Sequence, residues 1–128
     1  MALGLAVLLA GAAGCGDTDE RPVTWSYISA TIVQPNCGTA RCHAKGSLVG
    51  PFGNMLALDQ VQPGYDNISV FIGFDDNGDP QRDPAMTTLV DRLRGRNMVP
   101  ARMPPDEPLP EADIKLIEAW IKAGSPNN

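Results

Sequence analysis

Proline and glycine punctuate this chain so closely that only short helices fit between them. The 128 residues contain 12 prolines and 13 glycines; proline lacks a backbone donor, and glycine weakens a helix interior. Between these residues, apolar side chains recur at helical spacing. The chain is 43% hydrophobic and long enough to form one small core. We therefore predict an all-α domain of three to four short helices joined by long loops.

Caps and breakers predict three of these helices, over residues 24–34, 83–95 and 110–124. Thr24 is a plausible N-cap for the first, and Pro35 should prevent its continuation. The predicted apolar faces are Trp25, Ile28 and Ile32; Met86, Leu89, Val90 and Leu93; and Ile114, Ile117, Trp120 and Ile121. We expect Trp25 and Trp120 to pack between the first and last helices.

The middle of the chain is patterned less strongly. Residues 44–64 are rich in glycine and proline and predict a loop, with Met55, Leu56 and Leu58 as its buried points. Residues 65–72 fit a helical face better than a strand. The acidic run 75–79 is similar to part of a calcium loop, but its glycine is misplaced for an EF-hand, which favours an ordinary turn.

The first fourteen residues carry no charge and include a short leucine-rich run that cannot span a bilayer as a helix. Small residues and Cys15 follow, so residues 1–14 are predicted to be an export signal. A cysteine in this position resembles the bacterial lipobox, which would make Cys15 a lipidated N-terminus and residues 15–23 a tether. We therefore expect a lipid-anchored protein on the periplasmic side of the cell envelope. The alternative, a buried N-terminal helix, is disfavoured by four glycines.

The charge distribution narrows the range of partners. The net charge is −5, and no run of lysine or arginine reaches three residues. Nucleic acid is therefore excluded as an expected partner, because phosphate binding needs a basic surface. An acidic surface would suit a basic docking patch on a protein partner.

Reactive side chains are clustered between Cys37 and His43, where Cys42 directly precedes the chain's one histidine. Export would leave Cys37 and Cys42 as a pair outside the reducing cytosol. Two thiols and an adjacent imidazole can hold a haem through thioether bonds and a proximal iron ligand. Four residues separate the cysteines, whereas the usual attachment motif has two. A disulfide is the alternative, while a zinc site lacks a fourth ligand.

The opposite side of the iron would need a second ligand. Because no other histidine exists, a methionine thioether is the remaining soft candidate. Met98 and Met103 lie in a proline-stiffened segment about sixty residues after His43, where a rigid backbone loses less entropy on ligation. We prefer Met103 and keep Met98 in reserve, since Met86 reads as core filler and Met55 lies too close to His43.

This order of elements resembles small c-type cytochromes, especially the cytochrome-like domains of bacterial lipoproteins in planctomycetes and myxobacteria. The resemblance spans residues 24–124. It is carried by Cys37, Cys42 and His43; Leu56-Ala57-Leu58-Asp59; Arg102-Met103-Pro104-Pro105; and Trp120-Ile121-Lys122-Ala123-Gly124.

The resemblance implies a cytochrome c-like fold around one covalent haem c. It assigns thioether bonds to Cys37 and Cys42, proximal and distal iron ligation to His43 and Met103, a carbonyl partner for the imidazole to Pro51, and a propionate contact to Arg102. It also implies a single-electron carrier rather than an enzyme, with redox proteins as partners and the membrane contacted through lipid on Cys15. Two alternatives stay open: a haem-free envelope lipoprotein with a Cys37–Cys42 disulfide, and a haem enzyme or sensor with an open distal position.

Overall fold

A computed structural model of the chain describes residues 19–47, 56–97 and 101–128. Throughout these ranges the regular structure is helical, and one isolated bridge joins Phe74 to Pro80. The prediction of an all-α protein is therefore confirmed. Several predictions fall outside the described residues: the export signal over 1–14, lipidation at Cys15, and the roles of Pro51, Met55 and Met98.

The helices are short, as the prolines and glycines predict. They are α1 (Trp25–Ile28), which continues through a π-helical segment (Ser29–Val33) into α2 (Gln34–Asn36); α3 (Val61–Ser69); a 3₁₀ turn (Pro84–Met86) followed by α4 (Thr88–Arg94); and α5 (Glu111–Lys122). Among the described residues, no helix is long and apolar enough to cross a membrane.

The first helical stretch begins as predicted but ends later. The Thr24 side chain accepts a hydrogen bond from the Tyr27 N–H, which confirms it as N-cap. The prediction that Pro35 ends the helix is wrong, because the helical stretch runs on to Asn36. The wider π turn just before Pro35 relieves the contact that its ring would make with the preceding turn.

Helix α3 begins at Val61, earlier than the sequence predicts, so the loop assigned to residues 44–64 is too long. Pro63 lies in the first turn of α3, where the missing N–H would have no helical partner. Gly64 lies against the core: a Cβ there would be 3.4 Å from Cζ2 of Trp25. Tertiary packing thus outweighs the local signals of a proline and a glycine.

The helix predicted over residues 83–95 is divided in two. Asp83 caps the 3₁₀ turn, and the fully buried Thr87 caps α4. Met86, predicted to lie on the apolar face, is instead 71% exposed because this division rotates it outward. Gly95, with φ of +62°, ends α4 in the left-handed conformation, as predicted.

Two tryptophans form the centre of the core. The rings of Trp25 and Trp120 lie 5.3 Å apart, and Tyr65 packs edge-on against both. Each indole N–H donates to a backbone carbonyl, Trp25 to Val61 at 2.8 Å and Trp120 to Pro126 at 2.9 Å. The predicted packing of the first helix against the last is therefore confirmed.

Residues on both sides of the predicted domain make contacts with it. The Trp25 N–H donates to the side-chain oxygen of Asn128 at 2.9 Å, so a residue beyond the predicted boundary at 124 caps α1. In the predicted tether, Arg21 forms an ion pair with Asp113 of α5.

Candidate functional site

The Cys37–His43 segment folds into a compact loop directly after α2. The His43 N–H donates to the Cys37 carbonyl at 2.9 Å, and the Cys42 N–H donates to the Thr39 carbonyl at 2.9 Å. The loop is then fastened to the segment before α3, because the Leu58 N–H donates to the His43 carbonyl at 2.6 Å. The four-residue spacer is thus a closed turn that returns the backbone of His43 to that of Cys37.

Gly38 allows this loop to lie against the segment before α3. A Cβ at Gly38 would be 2.5 Å from the carbonyl oxygen of Leu58 and 2.9 Å from Cα of Asp59. Both neighbours are backbone atoms and cannot rotate away. The loop therefore requires glycine for a close approach, which the sequence alone does not reveal.

An apolar cavity of about 280 Å³ lies beside this loop, close to the lower end of the roughly 300–1,000 Å³ of ligand pockets. The π-helical segment, α3, α4 and α5 all contribute to its walls. Apolar lining side chains from these elements and the connections between them include Ile32, Ile68, Phe71, Leu93 and Ile117. The polar members of the lining among the described residues are Cys37, His43 and Arg92.

Three of the predicted site residues meet at this cavity. Cys37 and His43 line it from the loop after α2, and Met103 lines it from the segment before α5. The Met103 N–H donates to the Arg92 carbonyl at 2.9 Å, which attaches that segment to α4. His43 and Met103, about sixty residues apart in the sequence, therefore line the same apolar cavity.

The other predicted residues lie elsewhere. Cys42 is half-buried, next to His43 in the loop, but is not part of the cavity lining. Arg102 also lies outside the lining: its guanidinium donates to the Pro105 carbonyl at 3.1 Å.

Burial sets the electrostatics of the loop. It lowers the pKa of His43, which favours the neutral imidazole that binds metals. The His43 Nδ1 is buried without a hydrogen-bond partner among the described residues, and its predicted acceptor, the Pro51 carbonyl, lies outside them. Burial, and then the nearby Cys42, raises the pKa of the Cys37 thiol to about 11. Both cysteines are free thiols, and Cys37 is protonated at neutral pH.

Arg92 is the cavity residue that sequence reasoning missed. Its Nε is buried without a hydrogen-bond partner, and none of the ion pairs found among the described residues includes it. The sequence held a partial signal, because Arg92 lies between Leu89 and Leu93, two positions of the predicted apolar face.

The acidic run 75–79 forms a turn, as predicted. The Asp75 Oδ1 accepts from the N–H groups of Asn77 at 2.9 Å and Asp79 at 3.0 Å, so this oxygen binds within its own loop. In the described parts of the chain, no group of three or more His, Cys, Asp or Glu side chains is placed to hold a metal ion.

The side chains around the cavity are chemically suited to a haem. An imidazole with an unpaired buried nitrogen, a thioether and a thiol face an otherwise apolar space, and a second thiol is adjacent in the loop. No protein-family model, curated protein or solved structure matches the chain. The chemistry of the site must therefore carry the functional proposal.

Proposed function

We propose that this protein is an exported monohaem c-type cytochrome that carries single electrons. The observation that carries the proposal is the meeting of Cys37, His43 and Met103 at one apolar cavity. A bound haem would supply a one-electron iron couple, and the remaining roles belong to the chain itself.

Attachment would use both thiols of the loop. Cys37 presents its thiol to the cavity, and Cys42 stands beside His43. Because the backbone returns from His43 to Cys37 through a hydrogen bond of 2.9 Å, the longer spacer keeps the motif compact. This geometry supports a haem motif with an unusual loop.

Ligation would use the His43 imidazole and the Met103 thioether, which both line the cavity. His43 favours its neutral, metal-binding form, and Met103 presents a thioether from a segment fastened to α4. Two protein ligands leave no iron position for a substrate, which suits electron transfer. The apolar walls exclude water and limit the solvent rearrangement that accompanies a change of iron charge.

Location and partners follow from the sequence pattern. Cys15 would carry the lipid that holds the domain at the periplasmic side of the envelope, where its cysteines can be matured. The acidic chain would exchange electrons with redox proteins that present a basic patch.

One observation favours a second candidate, a haem-free envelope lipoprotein. Cys37 and Cys42 are free thiols in one loop, which the 2.9 Å hydrogen bond from the His43 N–H to the Cys37 carbonyl closes, and such a pair can oxidise to a disulfide outside the reducing cytosol.

The proposal is tested by producing the full chain in a bacterial host that matures c-type cytochromes. We expect a red protein whose haem survives denaturation, and whose low-spin spectrum becomes high-spin in Met103→Ala. Met86→Ala is the matched control, since Met86 is 71% exposed and away from the cavity. A colourless protein with a Cys37–Cys42 disulfide would overturn the proposal in favour of the second candidate. A red protein whose spectrum ignores Met103→Ala would remove Met103 as ligand.

A further inference from the structure

Arg92 places a permanent positive charge at the wall of an apolar cavity, and it forms no ion pair among the described residues. The side chain is partly buried, its Nε is fully enclosed, and that nitrogen has no hydrogen-bond partner among the described residues. Arginine does not lose its proton in proteins. An enclosed cationic donor without a partner is costly, so a ligand that supplies one would be favoured.

Nearby arginines show the pairing that Arg92 lacks. Arg94, two residues later in α4, donates to the carboxylates of Glu111 and Glu118 at 2.8 to 3.0 Å. Arg96 forms an ion pair with Asp91 at 3.5 Å. No acidic side chain belongs to the cavity lining among the described residues. Glu111, Glu118 and Asp91 thus pair with other arginines, and no ion pair among the described residues includes Arg92.

We propose that Arg92 binds a carboxylate carried by an apolar ligand in this cavity. A guanidinium and a carboxylate match geometrically and can form two parallel hydrogen bonds, while the apolar walls would hold the hydrocarbon part of the ligand. The carboxylate can come from two ligands. In the first form of the proposal, which rests on the proposed function, it is a propionate of the haem itself. In its second form, the carboxylate belongs to a separate amphipathic molecule such as a fatty acid.

Arg92 differs in its surroundings from Arg102, to which the resemblance to c-type cytochromes gives a propionate contact. The Arg102 guanidinium already donates to the Pro105 carbonyl at 3.1 Å and lies outside the cavity lining. Arg92 lines the cavity, and its carbonyl accepts the Met103 N–H. The carboxylate contact is therefore expected on the α4 wall, near the segment that carries Met103.

The experiment compares wild type with Arg92→Gln, Arg92→Lys and the matched control Arg102→Gln, each as the full chain from the host that matures c-type cytochromes. If the products are red, their midpoint potentials are measured. Removing a cation beside the haem should favour the oxidised form, and we expect a roughly tenfold shift in Arg92→Gln, which is 59 mV for one electron. Arg92→Lys keeps the charge but loses the two parallel hydrogen bonds that a guanidinium can donate, so a shift of about threefold in the redox equilibrium is expected. Arg102→Gln should shift less than twofold.

If the products are colourless and folded by circular dichroism, the proposed function fails but the carboxylate proposal is tested on the same proteins. Octanoate and octan-1-ol then serve as probes that share a chain and differ in charge. Wild type should bind octanoate at least tenfold more tightly than Arg92→Gln does. The two proteins should bind octan-1-ol with equal affinity. The proposal is overturned if Arg92→Gln and Arg92→Lys leave the potential of the red protein, or the octanoate affinity of the colourless one, within twofold of wild type.

Discussion

Gly38→Ala tests the close contact that holds the cysteine loop in place. The new methyl group would lie 2.5 Å from the Leu58 carbonyl oxygen, 2.8 Å from its carbonyl carbon and 2.9 Å from Cα of Asp59. All three neighbours are backbone, so no rotamer change can remove the overlap. The loop must instead move away from the segment before α3.

The expected cost can be worked from the contacts that would change. Overpacking of this kind costs about 1–3 kcal/mol, and moving the loop also strains the 2.6 Å hydrogen bond from Leu58 to His43, worth about 1 kcal/mol. The sum is roughly 2–4 kcal/mol. For a chain of 128 residues about 4 °C of thermal midpoint corresponds to each kcal/mol, so a fall of roughly 8–16 °C is expected.

Thermal unfolding followed by far-ultraviolet circular dichroism measures this change, and the yield of attached haem should fall in parallel. Gly64→Ala is the matched control, because its nearest contact is 3.4 Å, with a side-chain atom of Trp25. It replaces glycine with a better helix former and should change stability by less than about 1 kcal/mol. A Gly38→Ala midpoint within 2 °C of wild type would refute the close approach of the loop to Leu58.

Three further predictions follow from burial and charge. In protein made without haem, alkylation of Cys37 should be roughly hundredfold slower at pH 8 than that of a thiol of ordinary pKa and should rise until pH reaches about 11, because burial raises its pKa; a plateau near pH 9 by peptide mapping would contradict this. Arg94→Gln should destabilise the fold at pH 7 and have a smaller effect in acid. Hydrogen bonding to Arg94 lowers the pKa of Glu111, so this stabilisation is present above the ordinary pKa of 4.5 and is lost as the pH falls below it. An equal loss of stability at pH 3 and pH 7 in urea titrations would exclude this contribution. Trp25→Ala should cost about 3–5 kcal/mol in urea unfolding, against less than about 0.5 kcal/mol for the exposed Val23→Ala; equal costs would contradict the core assignment.

The sequence predicted the helical class and the two tryptophans at the core because apolar periodicity and caps are local signals. Thr24 and Gly95 act at the helix ends as predicted. The errors arose where an unusual helical turn or a tertiary contact overrides such signals. Pro35 lies inside a helical stretch because a π turn precedes it, and Gly64 lies in α3 because it packs on Trp25.

The candidate site divides in the same way. Residue chemistry predicted His43 and Met103 as candidate iron ligands, and the structure places both at one cavity. The need for glycine at position 38 depends on the path of a segment twenty residues later, which no local pattern encodes. The sequence could not single out Arg92 as a site residue. Its Nε is buried and unpaired only in the folded chain, where Glu111 and Glu118 pair with Arg94.

The central claim is that Cys37 and Cys42 hold a haem covalently beside His43. The intact mass of the denatured protein, after production in a host that matures c-type cytochromes, measures this directly. The account predicts one haem mass added to that of the mature chain, which begins at the lipidated Cys15, with Cys37 and Cys42 both bonded to that haem. A mass two hydrogens below that of the free-thiol chain, with Cys37 and Cys42 joined in one disulfide-linked fragment, would contradict it.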